Sequence, residues 1–214
     1  MTKMIKLEPF EQYTELYDRW FDDHEFVFES EMTAIREQMS HLPENIRGLE
    51  VGLGTGRYAD ALGIKEGVEP ALHMRILAAR RGVEVMDAVG EHLPYKDLQF
   101  DFVLFVTICQ LDSLEKSLNE AYRVLKKNGS VIVGFIDKNG IIGKTYEQNK
   151  AKSTFYKHAQ FYSPVEVVSE LKNARFRNLS FVQTLFGDLN SIQTIQEPMS
   201  GIGNGSYIVV RATK

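Results

Sequence analysis

Residues Leu49 to Tyr58, with the sequence Leu-Glu-Val-Gly-Leu-Gly-Thr-Gly-Arg-Tyr, decide the fold predicted for this chain. A short apolar strand, residues 48–53, leads into three glycines at alternate positions, Gly52, Gly54 and Gly56. Glycines at this spacing let the backbone turn tightly and let a ligand lie against bare amide groups. A helix is predicted to follow over residues 57–62. The stretch therefore predicts a nucleotide-type binding loop after the first strand of an α/β sheet.

Several interpretations of the glycine loop compete. A dinucleotide fingerprint has the pattern G-x-G-x-x-G, and here the third glycine comes one residue early. A phosphate-binding P-loop has a lysine after its last glycine, where this chain has Arg57. A simple turn remains open, since glycines are common between strands and helices. The acidic residue Glu50, one apolar residue and then G-x-G-x-G match the first motif of another family at every required position. On these residues the chain resembles the class I S-adenosylmethionine-dependent methyltransferases.

Length and composition set the broad class. The chain has 214 residues, enough for one domain with its own core, and 43% of them are hydrophobic. A net charge of -4 argues against a dedicated nucleic-acid binder, which normally has a basic face. No stretch predicts a membrane span or a signal peptide, and the single cysteine fits a reducing compartment. We expect a soluble cytoplasmic protein that binds neither nucleic acid nor membrane.

Residues 1–45 are predicted to be helical, with an aromatic face formed by Tyr13, Tyr17, Trp20 and Phe21 at helical spacing. Such a face commonly packs on the core of the domain. It is also compatible with a cap over a cofactor. The Tyr17-Asp18 pair in this leading helix resembles methyltransferases that act on small molecules.

A second strand is predicted over residues 63–69, followed by a helix over residues 71–81. Glu69 lies seventeen residues after Gly52, close to the spacing expected for an acid that bonds ribose hydroxyls. A carboxylate accepts from two hydroxyls at once, although exposed acids at strand ends are common. Pro70 follows directly. Met74 is placed to contact an adenine, but methionine more often packs in the hydrophobic core.

The third predicted strand, residues 83–87, is followed by a segment that resembles the adenine-binding segment of the family. That segment commonly runs Asp-Ala-Glu-x-Leu-Pro and then an aromatic residue, and residues 90–95 keep most of it. Val89 stands where the family has an aspartate. The resemblance therefore leaves adenine to backbone contacts around Gly90 and Glu91, or to Asp87 if the register slips.

The fourth predicted strand, residues 100–106, is almost continuously apolar, as expected of a strand covered on both faces. Thr107 and Ile108 follow it, at the edge where ligands gather in open α/β sheets, and the resemblance places them beside the methyl group. Cys109 has no cationic neighbour in sequence to activate it, so a buried structural thiol is expected. A helix over residues 113–127 and a strand over residues 130–137 complete this half.

The last part of the chain begins with Gly140-Ile-Ile-Gly-Lys-Thr, which lacks the first glycine of a P-loop. Residues 138–162 are predicted to be a helical insertion, rich in aromatics, that closes over a small substrate. A helix over residues 163–174 has Ser163 as its cap, and Arg175 replaces the glycine that usually ends it in the family. Two strands, residues 179–186 and 206–213, are expected to pair antiparallel at the edge of the sheet.

The resemblance covers residues 48–176 and implies a Rossmann-like, doubly wound α/β fold. Its sheet would have seven strands, mostly parallel with one antiparallel edge hairpin strand, and helices on both faces. We expect a single domain, 1–214, with an N-terminal helical cap (1–45), a cofactor-binding core (46–137), an insertion or lid (138–162) and a C-terminal helix and strand pair (163–214).

The implied activity is methyl transfer from S-adenosylmethionine, which leaves S-adenosylhomocysteine, to a small-molecule acceptor. The residues expected to bind the cofactor are Tyr17, Glu50, Gly52, Gly54, Gly56, Glu69, Pro70, Met74, Val89, Gly90, Glu91, Thr107 and Ile108. His158 and Tyr17 are the candidate bases if the acceptor needs one. No histidine pair has a metal-ligand spacing such as H-E-x-x-H, so no metal is expected.

Three points stay open from the sequence. A non-catalytic S-adenosylmethionine-binding module and a nicotinamide-dependent oxidoreductase are the alternative functions. The acceptor and the attacked atom are not specified by any motif. Either a monomer or a homodimer is compatible with the chain.

Overall fold

An eight-stranded sheet forms the centre of the structure, a computed structural model that describes the backbone of residues 2–214 and the side chains of residues 7–214. Met1, the first residue of the predicted N-terminal cap, lies outside the described residues. The strands are β1 (Gly48–Val51), β2 (Glu66–Val68), β3 (Glu84–Met86), β4 (Phe100–Val106), β5 (Leu125–Ile136), β6 (Arg177–Thr184), β7 (Met199–Ser200) and β8 (Tyr207–Thr213). Their order across the sheet is β3-β2-β1-β4-β5-β8-β6-β7.

The first five strands are all parallel. From β1 the chain moves outward to β3 and then returns to β4 on the other side of β1. Val51 at the end of β1 therefore lies beside Phe105 near the end of β4. This reversal of strand order opens a crevice at the carboxyl ends of β1 and β4, which is where ligands bind in open α/β sheets.

The other end of the sheet is antiparallel, as predicted. Strand β8 lies between β5 and β6 and is antiparallel to both. All seven predicted strands are present, but the predicted count of seven is wrong because β7 adds an eighth. Its two residues are exposed and pair only with Val182 and Gln183 of β6, so no hydrophobic alternation marked it in the sequence.

Eight α-helices cover both faces of the sheet in residues 2–214. They are α1 (Thr2–Gln12), α2 (Thr14–Asp23), α3 (Glu25–Met39), α4 (Arg57–Leu62), α5 (Leu72–Arg80), α6 (Leu114–Val124), α7 (Ile141–Asn149) and α8 (Pro164–Asn173). Alternate residues of β4 point to opposite faces. Val103 and Phe105 pack with α6 and α8, whereas Phe102 and Leu104 pack with α3 and α4.

Two helix ends follow from local chemistry as predicted. Ser163 caps α8 in a capping box with Glu166, with Pro164 at the first helical position. Arg175 adopts the left-handed φ of 71° that a glycine usually supplies.

The predicted boundary between α6 and β5 is wrong. The helix ends at Val124, not at residue 127, and β5 already begins at Leu125, which pairs with Phe100. The register shifts between Phe100 and Phe102, and Asn128 adopts a φ of 62°. The charged residues after Val124 kept a helix-like pattern in the sequence, but pairing with β4 decides their conformation.

An ionic network attaches the N-terminal helices to the rest of the fold. Asp18 of α2 accepts hydrogen bonds from Arg57 at 2.8 Å and from Arg81 at 2.8 Å, and Asp22 pairs with Arg57 at 2.6 Å. Burial acts to raise the pKa of Asp18, but the hydrogen bond from Arg57 and the charge of Arg81 outweigh it and lower that pKa to about 2.

The predicted aromatic face of this region is partly confirmed. Phe21 is buried in the core formed with α3 and α4, and Tyr17 and Trp20 pack against that core. Tyr13 does not belong to the face, since 46% of its surface is exposed.

Within residues 2–214, no helix combines the length and the apolar character needed to cross a membrane.

The network generates a stability prediction. Replacing Asp18 by Asn should lower the free energy of unfolding by about 1 to 3 kcal/mol, because two arginines lose charged hydrogen bonds. Asp22→Asn is the matched control, since its side chain is largely exposed and, among the side chains of residues 7–214, it pairs with Arg57 but not with Arg81. Urea denaturation of both variants tests this, and an equal loss in the two would contradict it.

Candidate functional site

A cavity of about 420 Å³ lies at the carboxyl ends of β1 and β4. This volume is in the range of small-molecule binding sites. The glycine loop and the end of β2 form one part of its wall. The N-terminal helices and the segment 146–162 form another. One continuous space therefore connects the predicted cofactor loop with the predicted insertion.

The glycine loop has the geometry that its sequence predicts. Gly52 and Gly54 line the cavity with φ values of 70° and 57°, which strain any residue with a side chain. The amide of Gly52 donates to the carbonyl of Val68 at 2.9 Å, which fixes the loop against β2. A Cβ atom at Gly54 would lie 3.4 Å from the ring of Tyr17. Bare backbone therefore faces the cavity beneath an aromatic ring.

Glu69 joins the glycine loop to the end of β2. One carboxylate oxygen accepts from the amide of Gly54 at 3.0 Å, and the other accepts from the amide of Ala71 at 2.9 Å. The side chain lines the cavity, and burial raises its pKa to about 7 although both amides oppose the shift. Each oxygen keeps a further acceptor position. The carboxylate can therefore accept hydrogen bonds from two neighbouring hydroxyls.

Five further residues that were predicted to bind the cofactor are brought together. Pro70, Met74, Val89, Gly90 and Glu91 all line the cavity. The carboxylate of Glu91 also accepts from the amide of Ser113 at 2.9 Å, so it holds the start of α6 as well.

The alternative that assigned adenine to Asp87 does not fit. Asp87 is exposed and pairs with Arg75 at 3.0 Å, and it is not among the residues that line the cavity.

Thr107 and Ile108 line the cavity directly after β4. Thr107 adopts a left-handed φ of 60°, which is costly for a β-branched residue, and its amide donates to Gly134 at 3.0 Å. Strained backbone of this kind is concentrated at functional sites. Cys109 beside them is buried, as predicted, and it also contributes to the cavity wall.

Glu50 lies behind the glycine loop and is only 1% exposed. It lines a side cleft of about 10 Å³ that shares Tyr17, Gly52 and Thr107 with the main cavity. One of its carboxylate oxygens has no hydrogen-bond partner among the described residues. Burial raises the pKa of Glu50 to about 8, against a hydrogen bond from the Ala59 amide.

Besides Glu50, two predicted site residues lie outside the main cavity. Gly56 begins α4 with a φ of 82°, and a Cβ atom there would lie 3.0 Å from Ala78, so this glycine serves the packing of α4 on α5.

His158 is exposed and does not line the cavity. Tyr17 does line it, but burial raises the pKa of its hydroxyl, which disfavours a role as a base.

The aromatic residues of the insertion close one end of the cavity. Tyr146, Tyr156 and Phe161 contact one another, with ring centroids 4.9 to 6.0 Å apart. Phe155 contacts Phe10 of α1 at 5.4 Å and Tyr17 of α2 at 5.5 Å. The insertion and the N-terminal helices therefore meet across the cavity through rings.

Glu31 of α3 is the site residue that the sequence reasoning missed. It is buried, lines the cavity and accepts a hydrogen bond from the hydroxyl of Tyr58. Burial raises its pKa to about 7, although the Tyr58 hydrogen bond opposes the shift. The signal was its spacing: Val27, Glu31 and Ile35 recur every four residues on one buried helical face. An acid on such a face marks a polar function inside the fold.

Among the described residues, no group of three or more histidine, cysteine, aspartate or glutamate side chains is arranged to hold a metal ion.

Comparison with known proteins agrees with the loop, the crevice and the strand order. The family model described as a methyltransferase domain matches residues 49–133, from the glycine loop to the middle of β5. A solved structure from Thermotoga maritima, described as a SAM-dependent methyltransferase, possible histamine N-methyltransferase, is 44% identical, with a TM-score of 0.92. The alignment covers 98% of this chain and 99% of that one. The chain belongs to the class I S-adenosylmethionine-dependent methyltransferases.

Two further proteins are similar to this chain, one in sequence and one in fold. An uncharacterized protein from Methanocaldococcus jannaschii is 41% identical over 96% of this chain and 98% of its own length. A SAM-dependent methyltransferase from Archaeoglobus fulgidus is only 16% identical but has a TM-score of 0.68 over 95% of this chain and all of that one. The distant match shows the fold alone.

The buried Glu50 of this methyltransferase gives a pH prediction. Its pKa is higher in the folded protein than in the unfolded chain, so the folded state retains a proton that the unfolded state releases between about pH 4.5 and 8. The free energy of unfolding should therefore fall as the pH rises through this window. Glu50→Gln has no carboxyl group to ionise at this buried position. Between pH 5 and pH 8.5 its free energy of unfolding should therefore rise, relative to that of wild type, by on the order of a few kcal/mol.

Urea denaturation at several pH values measures this gain, with the exposed Glu44→Gln as the control. The control should differ from wild type by the same amount at every pH. If the free energy of unfolding of Glu50→Gln falls relative to that of wild type as the pH rises, the raised pKa assigned to Glu50 is wrong.

Proposed function

We propose that this methyltransferase binds S-adenosylmethionine along the glycine loop and transfers its methyl group to a small molecule enclosed at the aromatic end of the cavity. The observation that carries the proposal is the single continuous cavity between Glu69 and the rings of the insertion. A space of that form lets two ligands meet while most of their surface is removed from water.

The residues present fit the cofactor. The Glu69 carboxylate, held by two backbone amides, suits the two ribose hydroxyls. Gly52 and Gly54 offer bare backbone to the methionine end of the cofactor. The Glu50 oxygen that has no hydrogen-bond partner among the described residues lies just behind them. Met74, Val89 and Gly90 provide an apolar wall for the adenine. Bound there, S-adenosylmethionine supplies a methyl group that its sulfonium centre already activates.

The chain's own residues then have mainly positioning roles. Thr107 and Ile108 border the reacting centre, and Tyr17 covers the glycine loop. Phe10 and Phe155 close the cavity and exclude water. Holding two reactants in line in this way contributes about 7 to 11 kcal/mol in well-oriented systems.

The acceptor is a small molecule in this proposal because the whole cavity, at about 420 Å³, is too small to hold a folded chain or a duplex. The Thermotoga maritima protein is described as a possible histamine N-methyltransferase, which places amines among the acceptors to test.

Calorimetry tests the cofactor site. S-adenosylmethionine and S-adenosylhomocysteine should both bind to wild type, and NAD should not. Glu69→Gln should bind both about 10- to 100-fold more weakly, because hydrogen bonds to a charged group are lost. Glu84→Gln, an exposed acid on the neighbouring strand, should leave the affinity unchanged.

Two results would count against the proposal. Wild type that binds neither compound would exclude the cofactor. Glu69→Gln that binds as tightly as wild type would exclude the ribose contact. Release of S-adenosylhomocysteine during a screen of acceptors then separates an enzyme from a non-catalytic binding module.

A further inference from the structure

Glu31 lines the cavity from α3. Its helix, α3, packs on β5, β6 and β8. Glu69 follows β2, and three strand intervals separate β2 from β5 in the sheet. At about 4.8 Å per interval, strands β2 and β5 lie roughly 14 Å apart. This separation favours a second ligand, rather than the ribose, as the partner of Glu31.

The surroundings of Glu31 are aromatic. Its carboxylate contacts the hydroxyl of Tyr58. The rings of Tyr146 and Tyr156 line the same cavity, and Tyr146 packs against the core cluster that contains buried residues of α3. A carboxylate among aromatic faces attracts a cation in two ways, through its charge and through the ring electrons.

The charged side chains of the cavity wall also favour a positively charged ligand. Among the described residues, the charged side chains that line the cavity are all acidic: Asp23, Glu31, Glu69, Glu91 and Asp112. Within residues 7–214, whose side chains are described, no lysine, arginine or histidine lines it. An acceptor with a carboxylate or a phosphate would have no counter-charge there, whereas a positively charged acceptor would.

We infer that the aromatic end of the cavity binds the methyl acceptor as a small organic ammonium ion, with Glu31 as its counter-charge and the rings of Tyr146 and Tyr156 beside it. The inference rests on the proposed function and names the class of acceptor. It makes Glu31 the residue that selects amines over neutral molecules of the same shape.

The same carboxylate suits the proton that an ammonium ion must lose before its nitrogen can accept a methyl group. The proton moves from the ammonium nitrogen to a Glu31 oxygen, which leaves a neutral amine with a lone pair and a neutral carboxylic acid. A buried carboxylate with a raised pKa takes up such a proton more readily than an exposed one.

A purely structural role is the competing explanation, since Glu31 also holds the hydroxyl of Tyr58. The two roles differ in a measurable way. If Glu31 only positions Tyr58, the Tyr58→Phe variant should lose the same property as Glu31→Gln. If Glu31 is the counter-charge, Tyr58→Phe should keep the preference for amines.

The test measures binding rather than turnover. The protein is saturated with S-adenosylhomocysteine, which has no methyl group to transfer, and titrated with phenethylamine against 2-phenylethanol and with tryptamine against tryptophol. Wild type should bind at least one amine ten times more tightly than its alcohol. Glu31→Gln should reduce that ratio to near one, while its affinity for S-adenosylhomocysteine stays within about twofold of wild type.

Glu29→Gln is the matched control, because Glu29 lies on the same helix and pairs with Arg36 near the surface. It should keep the wild-type ratio, as should Tyr58→Phe. A wild type that binds S-adenosylhomocysteine but prefers neither amine overturns the inference without any variant. A preference that survives Glu31→Gln, or that disappears in Tyr58→Phe, also overturns it. Failure of wild type to bind S-adenosylhomocysteine instead rejects the proposed function itself.

Discussion

The hydrogen bonds from Gly54 and Ala71 to Glu69 are the interaction on which the rest of the site depends. A buried carboxylate must be hydrogen-bonded, and here its two partners belong to the loop after β1 and to the start of α5. The two backbone segments are therefore held at a fixed separation on one wall of the cavity. The ring of Tyr17 lies over Gly54 on this wall, and Phe155 of the insertion contacts Tyr17 in turn.

Around this interaction the protein keeps groups that are unfavourable for stability alone. Glu31, Glu50 and Glu69 are buried with raised pKa values, and Thr107 has a strained backbone. Such features are concentrated where a ligand is to be bound. Other parts of the fold follow local rules: Ser113 and Ser163 cap their helices, and β4 packs apolar side chains on both of its faces. Left-handed backbone also occurs away from the cavity, at Arg175 for example, so it is the combination with three buried acids that distinguishes the site.

Much of the fold was predictable because it follows from local patterns. The bounds of β4 were predicted correctly from its continuous apolar run, and the family was predicted from Glu50 and the glycine loop. Glu31 was not predicted: its spacing placed it on the buried face of α3, but its place in the cavity wall depends on Tyr58 and the insertion, which lie far along the chain. The start of β5 and the packing role of Gly56 likewise depend on Phe100 and Ala78, which local sequence does not reveal.

A crystal structure of the protein with S-adenosylhomocysteine tests the central claim most directly. We expect both ribose hydroxyls to lie within hydrogen-bond distance of Glu69 and the methionine end to lie against Gly52 and Gly54. The sulfur should face the rings of the insertion. The space beside Glu31 should remain available to a second ligand. A ribose bound away from Glu69, or a ligand whose methionine end fills the space beside Glu31, would contradict the account.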